Sequence, residues 1–202
     1  SVRGVTKQLR IENANAEITD TELTSFDSDG FTIDDDGNGS LNDNNIGYVS
    51  WNWKAGNATL GTGDFTQGST ASTCSRNVDA GFSIVSYTGN GSAGATIGHG
   101  LNSIPEMIFL KSRTSSIAWG GQNATTGATK NLFLNQTDAA ESNILYWNNT
   151  APTTNVFSLG SSHVVNKSSD NYIAYCFHSV DGYSKVGTYV GNGNADGTFV
   201  YT

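Results

Sequence analysis

The sequence has few charged residues, only two prolines and two cysteines, and no long hydrophobic run. Charged residues make up 14% of the 202 residues, and no stretch reaches the roughly 18 apolar residues that a transmembrane helix needs. Cys74 and Cys176 have neither a metal-ligand spacing nor the density of a disulfide framework, so we expect them to stay unpaired. These absences argue against membrane insertion, a zinc site and a disulfide-stabilised scaffold.

The charge that is present is mostly negative. Eighteen acidic residues against ten basic ones give a formal net charge of −8 at pH 7. A surface of this sign repels nucleic acid and anionic lipid. We therefore expect no nucleic-acid partner and look for partners among proteins and neutral glycans.

Short apolar runs separated by turn residues account for most of the chain, which contains 24 glycines. Runs of this length with intervening Gly, Asn, Ser and Thr are typical of antiparallel β structure. We predict an all-β fold, an antiparallel β-sandwich with jelly-roll-like topology. The strand candidates are residues 82–88, 95–97, 107–111, 117–119, 132–134, 144–147, 156–159 and 172–177.

Two features of the sequence occur twice. GFSIVSYTGNG begins at Gly81 and GYSKVGTYVGNG at Gly182, about 100 residues later, which is the size of a small domain. A hairpin pattern also recurs, in residues 30–33 with 48–53 and in residues 156–159 with 172–177. The predicted organisation is a leader and closing hairpin of a partial unit (1–56), a Gly/Ser/Thr-rich linker (57–80), a complete sandwich module (81–181) and the opening strands of a next unit (182–202).

An incomplete unit would expose strand edges that need a partner. We expect the strands of residues 182–202 to pair with the sheet of the module or with a neighbouring subunit by strand addition, which predicts a homo-oligomer. The residues predicted to take part are Tyr183, Val186, Tyr189, Phe199 and Tyr201.

The segment DDDGNGSLNDNN, residues 34–45, has the start of a calcium-binding loop. Oxygen-bearing side chains alternate along it, but its twelfth residue, Asn45, cannot supply the bidentate carboxylate, and no helix pattern flanks the loop. A solvated hairpin turn is the alternative interpretation. If Ca²⁺ binds, the predicted ligands are Asp34, Asp36, Asn38 and Asp43.

The sequence contains no catalytic signature. His99, His163 and His178 are scattered, with no HxH, HExxH or GxSxG pattern. The two GNG segments lack the helix pattern and the Lys-Ser/Thr of a phosphate-binding loop, so they predict turns with a positive φ at glycine. We expect a protein that is not an enzyme and has no cofactor other than the calcium already considered.

Aromatic side chains are candidates for glycan binding, because a flat ring that faces solvent can stack on a sugar. Trp51 and Trp53 belong to this group, but in a strand about half of such residues face the core, so core packing is the alternative for each. Trp119 precedes two glycines and is the one expected to be exposed. The candidate glycan-binding residues are Trp119, Trp147 and Tyr146.

Several segments carry a likeness to a known family: GFSIVSYTGNGSAGATIGHGLNSIPEMIFLKSR, NLFLN, YWNNTAPTTNVFSLGSS, YIAYCF and GYSKVGTYVGNGNADGTFVYT. They resemble a repeated β module of large structural proteins of marine bacteriophages, described as tail-fibre or other virion proteins. FDSDGFTIDDDGNGS and YVSWNWKAG resemble the region that precedes this module. The likeness covers residues 25–202. Family members continue past FVYT into another strand pair, so we expect a fragment or an incomplete last unit.

The resemblance implies a non-enzymatic virion protein, a tail fibre or related appendage, which is assembled in the host cytoplasm and acts in the extracellular particle. Its implied partners are other virion proteins and the host surface. Two alternatives remain: a lectin-like module that binds a host-surface glycan, and a capsid decoration protein.

Overall fold

The computed structural model describes residues 2–34 and 41–201, and its secondary structure is almost entirely β. The strands are β1 (Lys7–Gln8), β2 (Ile18–Thr19), β3 (Leu23–Phe26), β4 (Phe31–Ile33), β5 (Ser72–Asn77), β6 (Phe82–Thr88), β7 (Ala95–Gly98), β8 (Met107–Ser112), β9 (Gly120–Asn123), β10 (Lys130–Phe133), β11 (Glu141–Ser142), β12 (Val156–Leu159) and β13 (Asn171–Phe177). Two single helical turns, α1 (Ile144–Trp147) and α2 (His163–Asn166), interrupt them. All strand pairs are antiparallel, so the all-β antiparallel prediction is confirmed.

Seven strands form one sheet in the order β11-β10-β9-β8-β13-β6-β5. Strand β13 lies in the middle of this sheet and pairs along its whole length with β6, and along most of it with β8. Its sequence NYIAYCF is nearly continuous in apolar residues, as expected for a strand buried on both faces. The position of β13 therefore follows from its composition.

The hydrophobic core lies against one face of this sheet. Alternate residues of the central strands point to that face, among them Val85, Leu110 and Ala174. A second layer, made of the antiparallel β7–β12 pair and the two helical turns, covers them. The fully buried residues of this layer are Ile97, Trp147, Phe157, Leu159 and Val165. The result is a β-sandwich-like body with one large and one small layer.

The GNG turn after β6 is held by one buried side chain. The amide oxygen of Asn166 accepts a hydrogen bond from the Asn90 backbone N–H at 2.9 Å. The Asn166 Nδ2 group lies 3.1 Å from Asn90 Oδ1, 2.9 Å from Ser92 O and 3.0 Å from Gly160 O. Gly91 has a φ of +73°, which confirms the predicted turn conformation. We call Asn166 the turn clamp.

Residues 144–147, predicted as a strand, form the helical turn α1. The reason lies in the asparagines on either side. Asn143 caps the turn by accepting a hydrogen bond from the Leu145 backbone N–H at 3.0 Å, and Asn148 ends it with a left-handed φ of +55°. Residues 117–119 were also predicted as a strand, but β9 begins only at Gly120.

Neither predicted hairpin is formed. Strand β4 pairs with β3 rather than with residues 48–53, which form no strand. Strand β12 pairs with β7 in the small layer, whereas β13 belongs to the large sheet. The prediction pairs residues 156–159 with 172–177 because the two runs are neighbours in sequence. In the structure, the connection through α2 leads from the small layer to the large sheet, so the two strands do not pair.

Part of the segment predicted as a linker belongs to the folded body. Ser72–Asn77 forms β5, the edge strand that pairs with β6. Cys74 and Phe65, from the same Ser/Thr-rich segment, are part of the core. Small polar residues alternate with few apolar ones there, so the apolar signal of an edge strand was too weak to detect.

Candidate functional site

The face of the large sheet that points away from the core carries a group of aromatic rings. Phe82 and Phe177 are directly paired across β6 and β13, with ring centroids 4.8 Å apart, and Phe109 lies 5.9 Å from Phe177. Trp53 lies over this group, 6.5 Å from Phe82 and 6.2 Å from Phe177. We call these four residues the outer aromatic cluster. Trp53 is 57% exposed and Phe82 beneath it is 4% exposed, so the cluster reaches solvent mainly through the Trp53 ring.

The opposite end of the same face is covered by the N-terminal segment. The Trp119 indole donates a hydrogen bond to the Arg10 carbonyl at 2.9 Å and stacks on Tyr175 at 6.3 Å between ring centroids. Glu17 forms ion pairs with Arg113 at 2.9 Å and with Arg3 at 3.0 Å. The N-terminal segment therefore closes one end of the outer face and leaves the aromatic cluster accessible at the other.

Two charged groups on this face have perturbed pKa values. Burial raises the pKa of Glu17, but the hydrogen bonds from Arg113 and Arg3 outweigh it, and the pKa is lowered overall. Burial lowers the pKa of Lys111 to about 8, opposed only by the negative charge of Asp170. The Lys111 ammonium donates to the Ser112 carbonyl at 2.7 Å. Glu17 therefore holds the N-terminal segment against the sheet, and the Lys111 ammonium is occupied by a backbone carbonyl, so neither side chain presents a reactive group.

Residues 46–53 present a second group of apolar side chains. Tyr48, Val49 and Trp51 are exposed, Trp51 by 78%. The Tyr48 hydroxyl accepts a hydrogen bond from the Asp43 backbone N–H at 3.0 Å, which fixes the start of the segment. The segment ends at Trp53, so its exposed rings are continuous in sequence with the outer aromatic cluster.

The segment that follows β13 exposes many large apolar side chains. Its large apolar side chains are between 48% and 87% exposed; they are Tyr183, Tyr189, Val190, Phe199, Val200 and Tyr201. Val186 is half-buried, and its backbone N–H donates to the Ser179 hydroxyl at 3.0 Å. Within the described residues, 182–201 contain no strand, only an isolated bridge between Val180 and Ser184.

This C-terminal segment nevertheless has the shape of a hairpin. The Thr198 hydroxyl donates to the Val190 carbonyl at 2.7 Å, and the Lys185 ammonium lies 5.0 Å from the centre of the Tyr201 ring. Gly193 in the intervening turn has a φ of +69°. The two arms lie side by side without a ladder of backbone hydrogen bonds in the described structure. In the described structure, no backbone–backbone hydrogen bond involves residues 185–201.

The three candidate glycan-binding residues are buried, so the expectation that Trp119 is exposed is wrong, and the alternative of core packing fits Tyr146 and Trp147. Trp119 is 5% exposed, Tyr146 8% and Trp147 0%. Trp119 is covered by the N-terminal segment, Trp147 lies in the core, and the Tyr146 hydroxyl donates to the Glu141 carboxylate at 2.9 Å. The accessible tryptophans are Trp51 and Trp53.

The predicted calcium ligands are only partly described. Asp36 and Asn38 lie outside the described residues, whereas Asp34 and Asp43 lie within them. In the described ranges, no group of three or more His, Cys, Asp and Glu side chains is close enough to hold a metal ion. Calcium binding by this loop stays a prediction.

The buried histidine and cysteines have structural roles. The His99 ring accepts a hydrogen bond from the Leu101 backbone N–H at 3.2 Å and contacts the Thr153 carbonyl at 3.0 Å. Burial lowers the pKa of His99, which favours the neutral ring. Cys74 and Cys176 are free and buried, and burial raises the pKa of Cys74 to about 11. None of these groups is poised to act as a nucleophile or a metal ligand.

Comparison with known proteins gives one match. A family model described as "Domain of unknown function (DUF7483)" matches residues 1–202. No curated protein and no solved structure matches the chain. None of the helices in the described part of the chain has the length and apolar character needed to cross a bilayer.

Proposed function

The chain belongs to the DUF7483 family, whose function is unknown, and we propose that it is a non-enzymatic structural module of a bacteriophage particle that assembles into a homo-oligomer by strand pairing. The virion assignment, as part of a tail fibre or related appendage, follows from the resemblance of residues 25–202 to virion proteins. The mode of assembly follows from the C-terminal segment.

The observation that supports strand pairing is the contrast between the two copies of the repeated sequence. In the first copy, Phe82–Thr88 is a strand with a partner on each side, and its Val85 and Tyr87 side chains lie in the core. In the second copy, Tyr183 and Tyr189 are exposed and have no strand partner among the described residues. The first copy forms a strand between two neighbouring strands, and in the described part of the chain the second copy has no neighbouring strand. The second copy is therefore suited to pair with a strand of another subunit.

The outer aromatic cluster lies where this segment leaves the body. Phe177 is the last residue of β13, and Trp53 packs on it. The end of segment 46–53 and the start of the C-terminal segment therefore lie at the same end of the sheet. Monomeric proteins rarely leave large contiguous apolar patches exposed, and together these segments offer a surface that a second copy could bury.

Attachment to a host-surface glycan is a second candidate function. The exposed rings of Trp51 and Trp53 favour it, because flat exposed aromatic side chains stack well on sugars. A capsid decoration protein would use the same assembly surface, and locating the protein in an intact particle would distinguish it from an appendage.

The assembly proposal is tested by sedimentation of the full chain, of a variant lacking residues 182–202 and of Phe199→Ala. Phe199 is 87% exposed, and fully burying a phenylalanine side chain is worth about 1.5–3 kcal/mol. We expect Phe199→Ala to weaken association by about 10-fold or more and the truncation to abolish it. Phe199→Ala should leave the melting temperature of the isolated monomer unchanged.

The matched control is Phe26→Ala, which removes an exposed ring from β3, outside the proposed interface. It should associate like the wild type. A full chain that stays monomeric at every concentration, or a truncated chain that keeps the oligomeric mass of the wild type, would contradict the proposal.

A further inference from the structure

A small cleft opens at the edge of the core, away from the segments considered above. Its volume is about 180 Å³. Three stretches distant in sequence form its walls: residues 104–108, residues 122–128 and the loop at 151–152. Ile104, Pro105, Ile108, Ala151 and Pro152 make most of this lining apolar.

One residue of the lining has a hydrogen-bond donor without a partner. Gln122, on β9, lines the cleft and is only 4% exposed. Its Nε2 group is buried and has no hydrogen-bond partner among the residues that the structure describes. An unpaired buried donor is unfavourable. Because the terminal amide of glutamine rotates about a soft torsion, an acceptor that enters the cleft can take this bond.

A hydrogen-bond acceptor lies in the same lining. The Glu106 Oε2 atom accepts hydrogen bonds from the Ser179 backbone N–H, at 2.6 Å, and from the Ser179 hydroxyl. In the described part of the chain no donor binds its second oxygen, Oε1. The Ser179 contacts fix the carboxylate beside the cleft, so Oε1 is a positioned acceptor for a ligand N–H.

We propose that this cleft binds the acetamido group of an N-acetylated amino sugar. The acetamido methyl packs against Pro105 and Pro152, the carbonyl accepts from Gln122 Nε2, and the N–H donates to Glu106. The cleft has room for a group of this size: one water needs about 10–15 Å³ of cavity volume, so about 180 Å³ accommodates one acetamido group and the adjoining part of a ring.

An acetylated peptide carries the same secondary amide, but the sheet favours the sugar. Strand β8 lies between β13 and β9, and β9 lies between β8 and β10. Among the described residues, both strands that border the cleft are interior strands of the sheet, so an extended peptide has no edge strand to pair with there. A sugar needs none. This inference is independent of the assembly proposal, because no residue of 182–201 lines the cleft.

The test is titration of the ¹⁵N-labelled full chain by NMR with N-acetylglucosamine, with glucose and with N-acetylalanine methylamide. We expect N-acetylglucosamine to shift the Gln122 side-chain amide signals with a dissociation constant of about 1 mM, the range of a single small contact. Glucose should leave them unchanged. Gln122→Met, which keeps the shape and removes the donor, should weaken binding about fivefold to tenfold, as the loss of one neutral hydrogen bond predicts.

Gln67→Met is the control. Gln67 also has a buried polar atom without a partner in the described structure, but it lies outside the cleft. It should bind the sugar like the wild type. The proposal is overturned if N-acetylglucosamine causes no shift, if glucose acts equally, or if Gln122→Met binds normally. Equal or tighter binding of the acetylated peptide would overturn the assignment to a sugar.

Discussion

The turn clamp offers a sharp test of how the body holds the first GNG segment. Asn166 is 1% exposed, and its side chain serves as acceptor for Asn90 and as donor toward three oxygen atoms. Asn166→Asp changes only the amide to a carboxyl group. The acceptor for Asn90 remains, but an oxygen replaces the donor and faces Asn90 Oδ1, Ser92 O and Gly160 O at about 3 Å.

The expected cost can be worked out from these contacts. Each lost hydrogen bond is worth about 1 kcal/mol net, and an uncompensated buried charge adds several more, so we expect a loss of about 3–6 kcal/mol at pH 7. For a chain of this size, 1 kcal/mol corresponds to about 2–4 °C in melting temperature. The variant should therefore melt roughly 6–24 °C below the wild type.

Thermal unfolding followed by circular dichroism at pH 7 and pH 4 measures this loss and its cause. The introduced carboxyl group ionises above about pH 3.9 in the unfolded chain, whereas its buried site favours the protonated form. The penalty must grow with pH, so the gap to the wild type should narrow at pH 4.

Asn171→Asp is the matched control. Asn171 is exposed, and its amide oxygen accepts from the Thr88 hydroxyl at 3.0 Å, a role that a carboxylate keeps. It should melt like the wild type at both pH values. An Asn166→Asp protein that melts within about 2 °C of the wild type at pH 7, or whose deficit is the same at both pH values, would refute the reasoning.

Further expectations concern the outer face. Lys111→Met should raise the melting temperature at pH 7, because burial lowers the pKa of Lys111 to about 8 and disfavours its charged form; the gain should shrink as the pH rises from 8 to 10.5 and the wild-type lysine becomes neutral in both states. Glu17→Gln should cost about 1–2 kcal/mol at pH 7. Because the pKa of Glu17 is lowered in the folded state, that cost should disappear as the pH falls below 4.5 and through the folded-state pKa. Trp119→Ala should lower the melting temperature by removing a buried ring, without affecting glycan binding measured by NMR titration.

The strands that could be predicted are those whose own residues specify them. β6, β8 and β13 have long apolar or alternating runs, and the structure has strands at these positions. Residues 144–147 carry a similar apolar run, but the asparagines on either side cap a helical turn there. A short apolar run is compatible with both a strand and a helical turn. A helical turn forms where a flanking side chain accepts a hydrogen bond from a backbone N–H group at its start.

The environment of a residue was harder to predict than its secondary structure. Trp119 is buried under the N-terminal segment. Its indole donates a hydrogen bond to the carbonyl of Arg10, which lies more than a hundred residues earlier in the chain. The cleft lined by Glu106 and Gln122 is formed by three stretches that are separate in sequence, so no local sequence pattern indicates it. The two copies of the repeated GNG sequence likewise lie in different structural surroundings. A strand depends on its partners, and the second copy lacks the ones that the first copy has.

The central position of β13 has a consequence for how the protein is made. In the large sheet, β5 and β6 form a hairpin, and β8, β9 and β10 form a meander. Within the described residues, β13 (residues 171–177) is the strand that joins these two parts of the sheet. During synthesis, each of these two parts has an unpaired edge strand until β13, which lies between them, leaves the ribosome. Sheets closed by such distant segments fold slowly and are prone to aggregate before closure. The chain should therefore depend on chaperones at that stage, and a ribosome stalled before residue 171 should hold a protease-sensitive polypeptide.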